Sequence, residues 1–166
     1  MSEAQAEIAY IGLGSNLANP REQVETAILE LAGLDGCRLL NHSSLYRTRP
    51  FGPQNQPDFI NAVVCLSTRL TAEPLLDALQ ELELRHHRVR EGERWGPRSL
   101  DLDLLLYGDQ VITTSRLQVP HPEMTKRAFV LVPLREIAPR ELYIPGFGPL
   151  HELNISIAES DIERLA

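Results

Sequence analysis

The 166 residues are 43% hydrophobic and 23% charged, with a net charge of −7 at neutral pH. This balance predicts a single folded domain, residues 1–166, with a real core, and argues against a disordered chain. It excludes nucleic-acid binding through a global basic field, and no apolar run approaches the ~20 residues of a membrane span.

The opening MSEAQAEIAYIGLG lacks a basic segment followed by an apolar one, so no signal peptide is expected. Glu7–Leu13 (EIAYIGL) reads as a strand. Gly14-Ser15-Asn16 then reads most cheaply as a tight turn, the alternative being a direct ligand contact. Asn19 suits an N-cap and Pro20 the first helical position. Val24, Ala27, Ile28 and Leu31 recur at helical spacing until Gly33 and Asp35-Gly36 close the helix. Arg38 to Tyr46 is predicted as one strand, and RTRPFGPQNQPD (residues 47–58) as a stiff, shaped loop. Cys37 and Cys65 are far apart without metal-site spacing and read as thiols of a reducing cytoplasm.

Phe59–Thr68 (FINAVVCLST) is a strand by its β-branched and aromatic content. Thr71 can cap a helix whose apolar stripe is Leu75, Leu76, Leu79 and Leu82. Gln80, Glu83 and His87 occupy another face of it. His86 and His87 read as surface histidines, because adjacent helical residues do not face each other. After an arginine-bearing loop comes the apolar strand around LDLDLLLY, which Gly108-Asp109 is expected to fold back as a hairpin with Val111-Ile112-Thr113. Val119-Pro120-His121-Pro122 is a bend, and Ala128–Ile137 an amphipathic helix. The order β-α-β-β-α-β-β-α fits an α+β domain with a largely antiparallel sheet and helices packed on it.

Asp101 and Asp103 sit one residue apart in that apolar strand, so their side chains share a face, with Cα atoms ~6.6 Å apart. Paired carboxylates repel unless a cation lies between them, and oxygen-only ligands favour Mg²⁺. The bare D-x-D would otherwise be a solvated strand face. Arg85, Arg88, Arg90, Arg94 and Arg98 crowd the segment just upstream in a chain with one lysine, Lys126. Planar guanidinium groups grip phosphate at two points, so the pairing suggests a polyphosphate ligand carried on metal. Trp95, the one tryptophan, belongs either to the core or to a stacking surface. Gly12-Leu13-Gly14 fails as a dinucleotide fingerprint because Leu17 stands at the last glycine position, and the chain has no P-loop.

RWGPRSLDLDLL (residues 94–105) closely resembles the signature of the 6-hydroxymethyl-7,8-dihydropterin pyrophosphokinases of folate biosynthesis. The resemblance extends through YIGLGSN, SSLYRTRPFGPQNQPDFINAV, Arg88-Val89-Arg90 and VPHPEMTKRAF, covering about residues 9–139. It implies a ferredoxin-like α+β fold and transfer of the ATP β,γ-pyrophosphoryl group to the pterin hydroxymethyl, releasing AMP. By the same resemblance, Asp101 and Asp103 would hold two Mg²⁺ ions, and Arg88 and Arg98 would stabilise charge on the moving phosphates. Gln80, Glu83, Arg90, Arg94, Trp95, Arg98, Arg116, His121 and Arg127 match positions around ATP. Thr48, Pro50, Phe51, Phe59, Asn61, Trp95 and Phe129 match the pterin pocket, where the two phenylalanines Phe59 and Phe129 would sandwich the ring and Asn61 would pair with its amide edge. The loop at residues 91–97 would close over both substrates. The family pattern also implies a monomer, while the cytoplasm is expected from the two thiols. Arg49, Phe59, Glu91 and Pro122 depart from that pattern, none of them at a metal position. Two other readings remain: a different Mg-dependent nucleotidyl or phosphoryl transferase, or a nucleotide-binding module without turnover.

Overall fold

A computed structural model describes residues 6–16, 19–49, 57–88, 100–155 and 161–165, with backbone alone for 87 and 88. In chain order the elements are β1 (Glu7–Ser15), α1 (Pro20–Ala32), β2 (Cys37–His42), β3 (Tyr46–Thr48), β4 (Phe59–Thr68), α2 (Ala72–Arg88) and β5 (Asp101–Tyr107). They continue with β6 (Ile112–Thr113), β7 (Gln118–Val119), α3 (Ala128–Ile137), β8 (Tyr143–Ile144), β9 (Gly148–Pro149) and β10 (Ile162–Arg164). The main sheet runs β10-β3-β4-β1-β5, with β2 also pairing β4. Its pairings are antiparallel, as the expected α+β architecture requires.

Strand alternation explains the two-sided core. Ala9, Ile11 and Leu13 of β1, Ile60, Ala62, Val64 and Leu66 of β4, and Leu102 and Leu104 of β5 face α1 and α2. Their buried partners there are Val24, Ala27, Ile28 and Leu31 on α1 and Leu75, Leu79 and Leu82 on α2. On the opposite face Tyr10, Val63, Cys65, Leu105 and Leu106 pack against Val130, Leu131 and Leu134 of α3. Leu104, Leu105 and Leu106 are all apolar because the β1–β5 register slips between Tyr10 and Ile11. That bulge turns Leu106 to the α3 side, so both faces of the sheet claim a leucine from one run.

Five expectations change. Gly14 and Ser15 belong to β1, because Gly14 is paired with Asn61 on one side and Asp101 on the other; the segment is strand rather than turn. The strand expected over Arg38 to Tyr46 is two strands along one edge of β4. Five residues, His42 to Tyr46, oppose four, Val64 to Asn61, and Ser43 bridges the gap by accepting the Val63 N–H on its hydroxyl at 2.9 Å. The hairpin expected after Gly108 does not form. Gly108, at φ +55°, donates its N–H to Ile8, and β6 pairs β7 instead. Asn19 precedes α1 in a left-handed conformation without a side-chain cap. His86 is buried rather than exposed, its ring nitrogens meeting Gln23 and Glu30 of α1, the latter at 2.5 Å.

Candidate active site

At one end of the sheet, on the α3 face, lies a cavity of about 460 Å³. Three adjacent strands contribute alternate residues to it: Gly12 and Gly14 from β1, Phe59 and Asn61 from β4, Asp101 and Asp103 from β5. Thr48 of β3, Arg49, and Arg127 with Phe129 at the start of α3 complete the wall. The sheet register makes this arrangement unavoidable, since Gly14 stands between Asn61 and Asp101, and Gly12 opposite Asp103. A side chain at Gly14 would fill the floor; a Cβ there would lie 2.9 Å from Asn61 Nδ2.

Seven predicted site residues, Thr48, Phe59, Asn61, Asp101, Asp103, Arg127 and Phe129, thus converge on one cavity. Asn61 is buried, and the Thr48 hydroxyl donates to its Oδ1 at 2.7 Å, which orients the carboxamide. The Arg127 guanidinium lies 5.6 Å from the centre of the Phe129 ring, over its face. Asp101 and Asp103 are both partly exposed and share the cavity face, while Leu102 between them is buried in the core. Their oxygen-only donor set fits Mg²⁺, which commonly takes one or two carboxylates and fills its other positions with water and phosphate.

Glu83 lies behind this strand, its carboxylate accepting the Leu102 N–H at 2.8 Å between the two aspartates. His121 is tied to the same strand by its N–H, which donates to Leu105 at 3.0 Å. Burial pushes the His121 imidazole below its ordinary value; Asp103 and Glu123 oppose this push and Arg127 adds to it. Its Nδ1 accepts the Glu123 N–H at 3.2 Å, so the neutral ring keeps its proton on Nε2.

Gln80 and Arg116 do come together, 3.3 Å apart, but on the outer side of α2, where Arg116 is also bound to Asp77 at 2.6 Å and Glu73 at 3.4 Å. Neither lines the cavity. The side chains of His87 and Arg88, with Pro50, Phe51, Arg90, Glu91, Arg94, Trp95 and Arg98, lie outside the described residues. Gly12, Arg49, Glu123 and Lys126 also line the cavity without a sequence expectation that they would, and Gly14 lines it in keeping with the ligand-contact alternative for its segment. For the glycines a signal existed: two glycines at strand period 2 leave a side-chain-free stripe on one face.

Similarity to known proteins converges on one family. The model of 7,8-dihydro-6-hydroxymethylpterin-pyrophosphokinase (HPPK) matches residues 10–139. A Pseudomonas aeruginosa protein named 2-amino-4-hydroxy-6-hydroxymethyldihydropteridine pyrophosphokinase is 49% identical over 156 residues, 94% of this chain and 95% of its own. A Haemophilus influenzae protein of the same name is 45% identical over 157 residues, 95% of this chain and 97% of its own. Among solved structures, a Plasmodium falciparum HPPK-DHPS A437G chain in complex with STZ-DHP superposes with a TM-score of 0.70 at 14% identity, over 92% of this chain and 45% of that one. The wild-type Plasmodium falciparum chain with pterin and p-hydroxybenzoate gives a TM-score of 0.69 at 15% identity, over 99% of this chain and 47% of that one. These last two likenesses carry the fold, and this chain spans less than half of their length.

Proposed function

This chain belongs to the 7,8-dihydro-6-hydroxymethylpterin-pyrophosphokinase family of folate biosynthesis, and on that footing we propose that it transfers pyrophosphate from ATP to 6-hydroxymethyl-7,8-dihydropterin. The pterin hydroxymethyl oxygen bonds to the β-phosphorus, the bond from that phosphorus to the α,β-bridging oxygen breaks, and AMP leaves. The hydroxyl proton is released to water in the same exchange.

The observation that carries this reading is the juxtaposition of an aromatic, amide-bearing wall with a carboxylate pair in one cavity. Phe59 and Phe129 bring aromatic rings to the cavity, and Asn61, held by Thr48, offers one fixed hydrogen-bonding edge. A ligand stacking on the side of Phe129 that Arg127 covers displaces that guanidinium, which is then free to meet phosphate. Asp101 and Asp103 are the residues that would hold two Mg²⁺ ions. When bound, Mg²⁺ neutralises triphosphate oxygens and sharpens the electrophilic phosphorus. Neutral His121 can donate from Nε2 without adding charge.

The test is product analysis with ATP, Mg²⁺ and 6-hydroxymethyl-7,8-dihydropterin. AMP and the pterin diphosphate are expected in equal amounts. ADP or free pyrophosphate would point to a different transferase, and nucleotide binding without AMP to a silent module.

A further inference from the structure

Residues 161–165 lie beyond the family-model match at residues 10–139, yet they pair with the strand that brings Thr48 to the cavity. β10 pairs the outer edge of β3, with Ile162 opposite Thr48, Glu163 opposite Arg47 and Arg164 opposite Tyr46. The ladder continues past both ends: the Arg49 N–H donates to the Asp161 carbonyl at 3.1 Å, and the Leu165 N–H to the Leu45 carbonyl at 2.8 Å. Side chains follow the backbone. Asp161 lies 3.9 Å from the Arg49 guanidinium, and Arg164 donates to the Ser44 hydroxyl at 2.9 Å. Exposed ion pairs such as these hold little by themselves, so the backbone ladder is the main anchor.

β3 is three residues long and delivers Thr48 to the cavity, with Arg49 following it. Without β10, one side of this short strand has no partner, and the hydroxyl that orients Asn61 loses its fixed origin. Asp101 and Asp103 stand on β5, at the far side of the sheet with β4 and β1 between. Loosening β3 therefore disturbs one wall and leaves the other alone.

We propose that β10 is a positioning element for the pterin-binding wall, acting through Thr48, Arg49 and Asn61 and not through the nucleotide side; this rests on the reading of that cavity given above. The test compares the unmodified protein with Glu163→Pro and Glu163→Gln. Glu163 and Arg47 lie midway between the two flanking hydrogen-bonded pairs, so the Glu163 N–H points at β3 and proline removes it. Gln keeps the N–H and loses only the exposed 3.5 Å ion pair with Arg47. Equilibrium titration with 6-hydroxymethyl-7,8-dihydropterin, in Mg²⁺ and a nonhydrolysable ATP analogue, is expected to show at least fivefold weaker pterin binding for Glu163→Pro. Affinity for the nucleotide analogue should stay within twofold, and Glu163→Gln should match the unmodified protein. A variant with residues 161–165 replaced by Gly and Ser must show the same split. Unchanged pterin affinity in that variant, or equal weakening of both ligands in it or in Glu163→Pro, overturns the proposal. Failure of the unmodified protein to bind the pterin overturns the reading of the cavity instead.

Discussion

Gly14 works by what it lacks. Its neighbours across the sheet are Asn61 and Asp101, and Asn61 is held from below by Thr48, so it cannot easily yield to a new methyl group. Gly14→Ala is expected to raise KM for the pterin severalfold, with a smaller effect on nucleotide. Gly12→Ala meets Leu105 at an ordinary 3.5 Å and should be much milder. Comparing the two KM values checks the point, and equal effects would remove Asn61 as the cause. At the carboxylate pair, Asp103→Asn keeps the shape and hydrogen-bonding reach of the side chain but removes the charge a divalent ion needs. The expected outcome is a loss of about 10²-fold or more in kcat, on the scale of other electrostatic contributions to catalysis, with a Tm within a few degrees of the parent because Asp103 is not core. Near-normal turnover would dismiss Asp103 as a metal ligand.

At the scale of elements, α3 and β3 are joined by one carboxylate. Glu136 accepts the Ser44 N–H at 2.9 and 3.0 Å, the Ser44 hydroxyl at 2.9 Å and the Tyr46 hydroxyl at 2.7 Å, with Arg164 of β10 at 3.5 Å. Burial pushes its carboxyl up, but these donors together outweigh burial and hold it below the ordinary value. Tyr46 is pushed up to about 12, first by burial and then by Glu136, so it remains a donor throughout. A lowered folded-state value means that the stabilisation is present above the unfolded carboxyl value, about 4.3, and is lost as pH falls through the folded value. Glu136→Gln should therefore be less stable by about 1 kcal/mol at pH 7, and the gap should close below about pH 4. Denaturant melts at several pH values check this; an offset independent of pH would assign the effect to packing. Ser43 shows why this region was hard to read in advance. The run from Arg38 to Tyr46 has strand composition throughout, and its break depends on a serine hydroxyl reaching Val63 across the sheet.

For the molecule as a whole, metal and nucleotide should stabilise the fold together. A ligand that binds only the folded state adds about 2.7 kcal/mol at one hundred times its Kd. If the carboxylate pair carries metal to the triphosphate, ATP should raise Tm by several degrees with Mg²⁺ and much less with EDTA. Equal shifts in both would mean that guanidinium groups hold the nucleotide without metal. The sequence by itself determined the helices, the β4 span and the shared face of Asp101 and Asp103, because periods of 3.6 and 2 are local properties of the chain. It also carried the family, through long ordered motifs. Only the tertiary structure decided that Gly12 and Gly14 floor the cavity, that His86 is buried against α1, that β6 leaves β5 for β7, and that β10 braces the wall bearing Thr48. Each of these depends on which distant segments become neighbours, and cross-strand register and packing are set by contacts that no local pattern encodes.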